Sequence, residues 1–114
     1  SFEARDTIPP IWPEGSKLEA SGTGTDSVKL TWTPAMDIFG IYQYKIYMNG
    51  TLLVTVNGAI NSYEVKGLTA GTQYTFKVEA GDAAIDYRGP RFPQPVPMPN
   101  WTVNGPSLQV TTLK

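Results

Sequence analysis

Catalysis and metal binding need groups that attack, titrate or ligate, and this sequence holds few of them. It contains no histidine and no cysteine, which excludes Ser-His-Asp and Cys-His catalysis, thiolate sites and the common zinc sites. Its carboxylates are scattered. Asp37 stands in a loop, and two carboxylates in a cleft can hydrolyse a glycoside, but a small domain with short loops rarely offers that cleft. Asp82 and Asp86 are the hard oxygen ligands calcium prefers, yet they lack the Asp-x-Asp-x-Asp-Gly order and closing glutamate of a calcium loop. They are expected to be solvated loop acids. No catalytic, cofactor-binding or metal-binding residue is assigned, no cofactor is implied, and the domain is expected to have no enzymatic activity of its own.

What remains is a surface. Tyr87, Phe92 and Trp101 could form a flat aromatic platform, with Arg88, Arg91, Asp82 and Asp86 placed to bond hydroxyl groups. Such a platform could stack sugar rings, pack against a neighbouring domain, or fold down on its own core. The second and third uses rank above the first. The candidate ligand or docking surface is accordingly Tyr87, Arg88, Arg91, Phe92 and Trp101. All of it lies in residues 82–105, where prolines at 93, 95, 97 and 99 favour an extended polyproline backbone with little entropy to lose on ordering. Connections longer than about 12–15 residues without secondary structure are uncommon in compact domains and tend to be functional or disordered.

The elements that must carry this surface follow from alternation. In residues 63–80, Tyr63 and Val65 share one parity before a turn, and Tyr74, Phe76, Val78 and Ala80 share one after it. Each set lies on one face of a strand, leaving Glu64, Lys66, Lys77 and Glu79 toward water. Between them Leu68, Gly71 and Tyr74 have the form of a tyrosine corner, in which the ring packs inward and the hydroxyl bonds to backbone just upstream. Upstream, residues 17–20 make a first strand with Leu18 inward, and Val28, Leu30 and Trp32 face inward from a second. A loop over 33–40 precedes a third strand with Tyr44 and Ile46 inward. Asn49-Gly50 is a strong signal for a two-residue type I′ hairpin leading into a strand over 52–56. Leu108 and Val110 supply the last strand. Seven strands, no helical period and no repeat predict an all-β, antiparallel Greek-key sandwich of the immunoglobulin-like kind. Trp32 and Tyr74, with Leu68 and Gly71, are its expected structural residues.

The composition fits one domain of 114 residues with 40% hydrophobic content, and a net charge of −1 gives no pull toward nucleic acid or anionic lipid. No apolar stretch approaches the ~20 residues of a spanning helix. No signal peptide opens the chain, so a secreted parent is expected to carry its export signal upstream of Ser1. Residues 1–13, with Pro9, Pro10 and Pro13, are expected to be a stiff linker and lead-in, and 14–114 the domain. Within the lead-in, Trp12 is expected to fold back over one end of the sandwich. Asn49-Gly50-Thr51 and Asn100-Trp101-Thr102 match the glycosylation acceptor pattern and are taken as a hairpin turn and a chance match.

A tryptophan on the second strand, the L-T-A-G-T-Q-Y corner ending at Tyr74 and a cysteine-free core together resemble the fibronectin type III domain, over roughly residues 10–113. D-T-I-P-P, W-T-P-A-M-D-I-F-G-I, Y-K-I-Y-M-N-G and F-K-V-E-A-G-D-A-A resemble more particularly the modules of bacterial secreted glycoside hydrolases and surface proteins. That resemblance implies an extracellular, non-catalytic module acting as spacer, stabilising partner or occasional binder. Its partners would be adjacent domains of the same chain, with a polysaccharide as the alternative, and it would be a monomer in isolation. It also marks 82–105 as an insertion, because the last two strands of such domains are usually joined by a short loop. Arg88-Gly89-Pro90 is not the Arg-Gly-Asp attachment motif of some relatives.

Overall fold

The computed structural model describes residues 8–86 and 96–114. Tyr87, Arg88, Arg91 and Phe92 lie outside them. Seven strands form two antiparallel sheets: β1 (Leu18–Ser21), β2 (Val28–Trp32) and β5 (Ser62–Val65) in the order β1-β2-β5, and β3 (Ile41–Met48), β4 (Thr51–Asn57), β6 (Gln73–Asp82) and β9 (Ser107–Thr111) in the order β4-β3-β6-β9. The chain changes sheet between β2 and β3, β4 and β5, and β5 and β6. This is the Greek-key sandwich the alternation predicts. The period-2 pattern is the cause: Val28, Leu30 and Trp32 of one sheet and Tyr44, Ile46, Phe76 and Val78 of the other are all buried between the layers.

Local chemistry fixes the register. Asn49 and Gly50 both have positive φ, 52° and 83°, as the type I′ turn requires. The Asn49 side chain also accepts the Thr75 N–H at 2.9 Å, tying the hairpin to β6. At the corner, the Thr69 N–H donates to the Tyr74 hydroxyl at 2.9 Å. Gly71, at φ 62°, passes its N–H to the Leu113 carbonyl at 2.8 Å. Tyr74→Phe is therefore expected to lose about 1–3 kcal/mol, the range for a donor left without its partner. Chemical denaturation checks this, and an unchanged midpoint would remove the corner from the stability of the fold.

The lead-in is pinned to the sandwich. Pro10 is buried, and Ile11 exchanges two backbone hydrogen bonds with Met36, both 2.8 Å. Trp12 does fold back, its ring 6.1 Å from that of Tyr44 and its indole N–H donating to Thr102 Oγ1 at 3.1 Å. The Tyr44 hydroxyl in turn accepts the Ala35 N–H at 3.1 Å. Burial raises the Tyr44 phenol above its ordinary pKa near 10, and the Ala35 bond offsets part of the rise. The unfolded chain therefore loses this proton first as pH rises. The contribution is complete below the unfolded value and is lost as pH climbs through the folded one. The melting temperature should fall more steeply above pH ~10 in the parent than in Tyr44→Phe.

Two expectations are corrected. Residues 82–105 are not a featureless loop at their base: β6 runs on to Asp82, and β7 (Ile85–Asp86) pairs with β8 (Val96–Pro97) as a short antiparallel ladder. The alternate prolines leave donors between them, and the Met98 N–H bonds to the Ala84 carbonyl at 2.9 Å. Glu79 does not face water either. The chain from Trp101 to Gly105 lies against β6 and covers it, and Glu79 is 6% exposed.

Candidate functional site

The 82–105 segment leaves β6 through a neck built on Asp82. Asp82 is the last residue of β6 and is fully buried. Its carboxylate accepts the Ala84 N–H at 3.2 Å, the Asn100 N–H at 2.8 Å and the Asn100 side-chain amide at 3.0 Å. A short acceptor at the end of a strand can thus gather donors from both limbs of the loop. Asp82 is a staple and not the solvated acid expected from the sequence. Among the described residues no three carboxylates, histidines or cysteines come together as a metal site. The Asp37 carboxylate accepts the Phe39 N–H at 2.8 Å and shapes its own loop.

Of the five predicted surface residues, Trp101 alone is described. Its backbone bridges Gly81, and its ring packs so closely on Gly81 that a Cβ there would lie 2.9 Å from ring carbons. The Lys45 ammonium stands over the ring at 4.0 Å from the centroid, a cation–π contact. Trp101 is half-buried and engaged with its own sheet.

A second surface at the same end was not foreseen. The Ala83 N–H bonds to the Gly40 carbonyl at 3.1 Å, which joins this neck to the 33–40 loop. There Met36, Ile38 and Phe39 are exposed, Ile38 by 90%, and beside them on the lead-in Ile8 and Ile11 are exposed too. A hollow of about 640 Å³ opens among Ile11, Pro34, Met36, Ile38 and Ile41. Apolar residues exposed one at a time are ordinary; a contiguous group around a hollow marks an interaction site. The signal was present in the sequence as three large apolar side chains within the five residues 35–39 of a loop. It has no period, so alternation passes over it.

The family model described as the fibronectin type III domain matches residues 13–92. This chain belongs to that family. Among curated proteins it is similar to chitinase Chi52 of Paenibacillus xylanexedens, 40% identical over 69% of this chain and 14% of that enzyme. It is also similar to chitinase D of Niallia circulans, 46% identical over 59% of this chain and 12% of the enzyme, and to an amylopullulanase of Thermoanaerobacterium saccharolyticum, 35% identical over 67% and 6%. The fibronectin type III domain thus spans a small fraction of each relative. Among solved structures, the family 28 exopolygalacturonase of Yersinia enterocolitica superposes with a TM-score of 0.63 at 18% identity, over 93% of this chain and 20% of that one. That likeness is one of fold. No helix among the described residues is long and apolar enough to cross a membrane.

Proposed function

We propose that this fibronectin type III domain is a non-catalytic extracellular module that spaces and docks neighbouring domains of a bacterial secreted or surface protein, a polysaccharide-degrading enzyme. The observation that carries this reading is the apolar end formed by Ile11, Met36 and Ile38 around its hollow, with Phe39 exposed on the same loop. Large aliphatic groups held in water at the end where the lead-in crosses the domain suit a neighbour tethered close by, because a short link makes docking effectively intramolecular. Relatives that are chitinases and an amylopullulanase, of which the module is a minor part, support the assignment to a larger enzyme.

In the protein that carries this module, joint Met36→Ser and Ile38→Ser substitution should leave the module's own melt unchanged, since both side chains are exposed. It should uncouple that melt from the melt of the domain before it. Independent melting already in the parent would defeat the docking part of the reading. The alternative, a carbohydrate-binding or adhesive module using residues 82–105, is tested by depletion of the isolated domain with insoluble polysaccharides beside a Tyr87, Phe92, Trp101 triple alanine variant. Depletion that the variant loses would replace docking by binding.

A further inference from the structure

Edge strands expose unpaired backbone groups, and proteins blunt them with charges, prolines, bulges or a covering segment. β1 carries Glu19 and β5 carries Glu64. Beyond β9, the Leu113 N–H reaches across to the Gly24 carbonyl at 2.9 Å, closing that side against the turn between β1 and β2. β4 is different. Among the described residues its only ladder partner is β3, and its seven residues, T-L-L-V-T-V-N, include neither charge nor proline. The uncharged run continues over residues 46–63. Leu52 and Leu53 are exposed at its start. One protective device is present, the register shift between Ile46 and Tyr47, but it lies toward the hairpin and leaves 54–57 in regular register.

The ladder shows which backbone groups face away. The Gly58 N–H donates to the Tyr42 carbonyl at 2.9 Å. Antiparallel pairs alternate between bonded and non-bonded, so Val56 and Val54 bond to β3, while Thr55 turns its N–H and C=O outward and Asn57 its N–H, the Asn57 carbonyl accepting the Ile60 N–H at 3.0 Å in the turn that follows.

We propose that two copies of this chain associate through β4, antiparallel about a two-fold axis at Thr55, so that the two four-stranded sheets become one. The strand is complementary to itself in this arrangement. Thr55 meets Thr55 and Val54 meets Val56, with Leu53 at the register shift and Asn57 at the following turn marking the two ends of the pairing, and no like charges are opposed. Threonine pairs and β-branched pairs are favourable cross-strand partners. A single edge contact is smaller than the roughly 1,000 Å² of a stable interface, so the chain is monomeric when dilute and pairs at high local concentration. The surface is separate from the apolar end and stands whether or not that end docks a neighbour.

Sedimentation equilibrium of the purified chain, from micromolar to millimolar concentration, tests this directly. The average mass should climb from the monomer toward twice that value. Thr55→Glu sets two carboxylates against each other across the axis while placing each beside Lys45, its partner on β3; it should weaken association about tenfold or more without lowering the melting temperature. An equimolar mixture of Thr55→Glu and Thr55→Lys should restore it. A parent that stays monomeric throughout, or a Thr55→Glu variant that associates as the parent does, would overturn the proposal. So would association that survives Thr55→Glu and disappears with Ile38→Ser, because it would then run through the apolar end.

Discussion

Trp32→Ala is expected to destabilise the domain by about 3–5 kcal/mol, the range for emptying a buried aromatic site, and to leave it poorly folded in isolation. Trp32 is 2% exposed and closes β2 against the opposite sheet. Its ring meets Tyr44 edge-on at 5.4 Å, and Tyr44 is flanked in turn by Trp12. Removing it opens a void beside a phenol that also holds the Ala35 backbone, so the 33–40 loop loses support along with the core. Among the described residues the indole N–H of Trp32 has no hydrogen-bond partner. The side chain therefore stabilises through packing alone. Trp32→Phe, which keeps an aromatic ring and removes the unpaired N–H, should lose clearly less than the alanine variant. Urea denaturation separates the two: a fall in midpoint at constant slope reports stability, and an alanine variant melting within a degree or two of the parent would refute the placement.

The parts of this molecule legible in the sequence are those governed by short-range rules. Alternation placed Val28, Leu30 and Trp32 on one face of β2, and Asn49-Gly50 gave the hairpin because few other pairs tolerate positive φ twice. The corner at Tyr74 was readable because its donor lies five residues away. What alternation could not supply was long-range covering. Glu79 has the parity of a solvent-facing residue, and only a segment more than twenty residues later, folding across β6, buries it. Asp82 likewise became a staple through Asn100, at a separation of 18 residues. The apolar end escaped notice for a further reason. It draws Ile8 and Ile11 from the lead-in and Met36 and Ile38 from a loop, and neither piece is periodic. The predicted candidate surface is legible only through Trp101, whose ring is engaged with Gly81 and Lys45.

Glu79 supports the other large prediction. The last strand is interrupted: Thr102 still bonds across to Ala80, and β9 begins only at Ser107. Glu79 fills the interruption. Its Oε1 accepts the Thr102 hydroxyl at 2.6 Å and the Gly105 N–H at 2.8 Å, while Oε2 pairs with the Lys77 ammonium at 3.0 Å. Lys77 reaches on to the Val103 carbonyl at 2.8 Å, so one acid and one base hold both sides of the crossing segment. Gly105 is required there because a Cβ would collide with the Val78 carbonyl. Glu79→Ala strands two donors under the segment; because Lys77 is still 40% exposed and can rehydrate, the expected loss is about 2–4 kcal/mol and not the full figure for a broken buried pair. Glu79→Gln keeps an acceptor for Thr102 and Gly105 and gives up only the half-exposed ion pair, so about 1 kcal/mol is expected. Amide exchange should show where the alanine variant fails. Protection should fall first at Thr102 and Gly105, and near Trp101, whose seat on Gly81 depends on the same segment. Equal losses in the two variants would mean that charge pairing, and not the filling of the interrupted strand, is what Glu79 contributes.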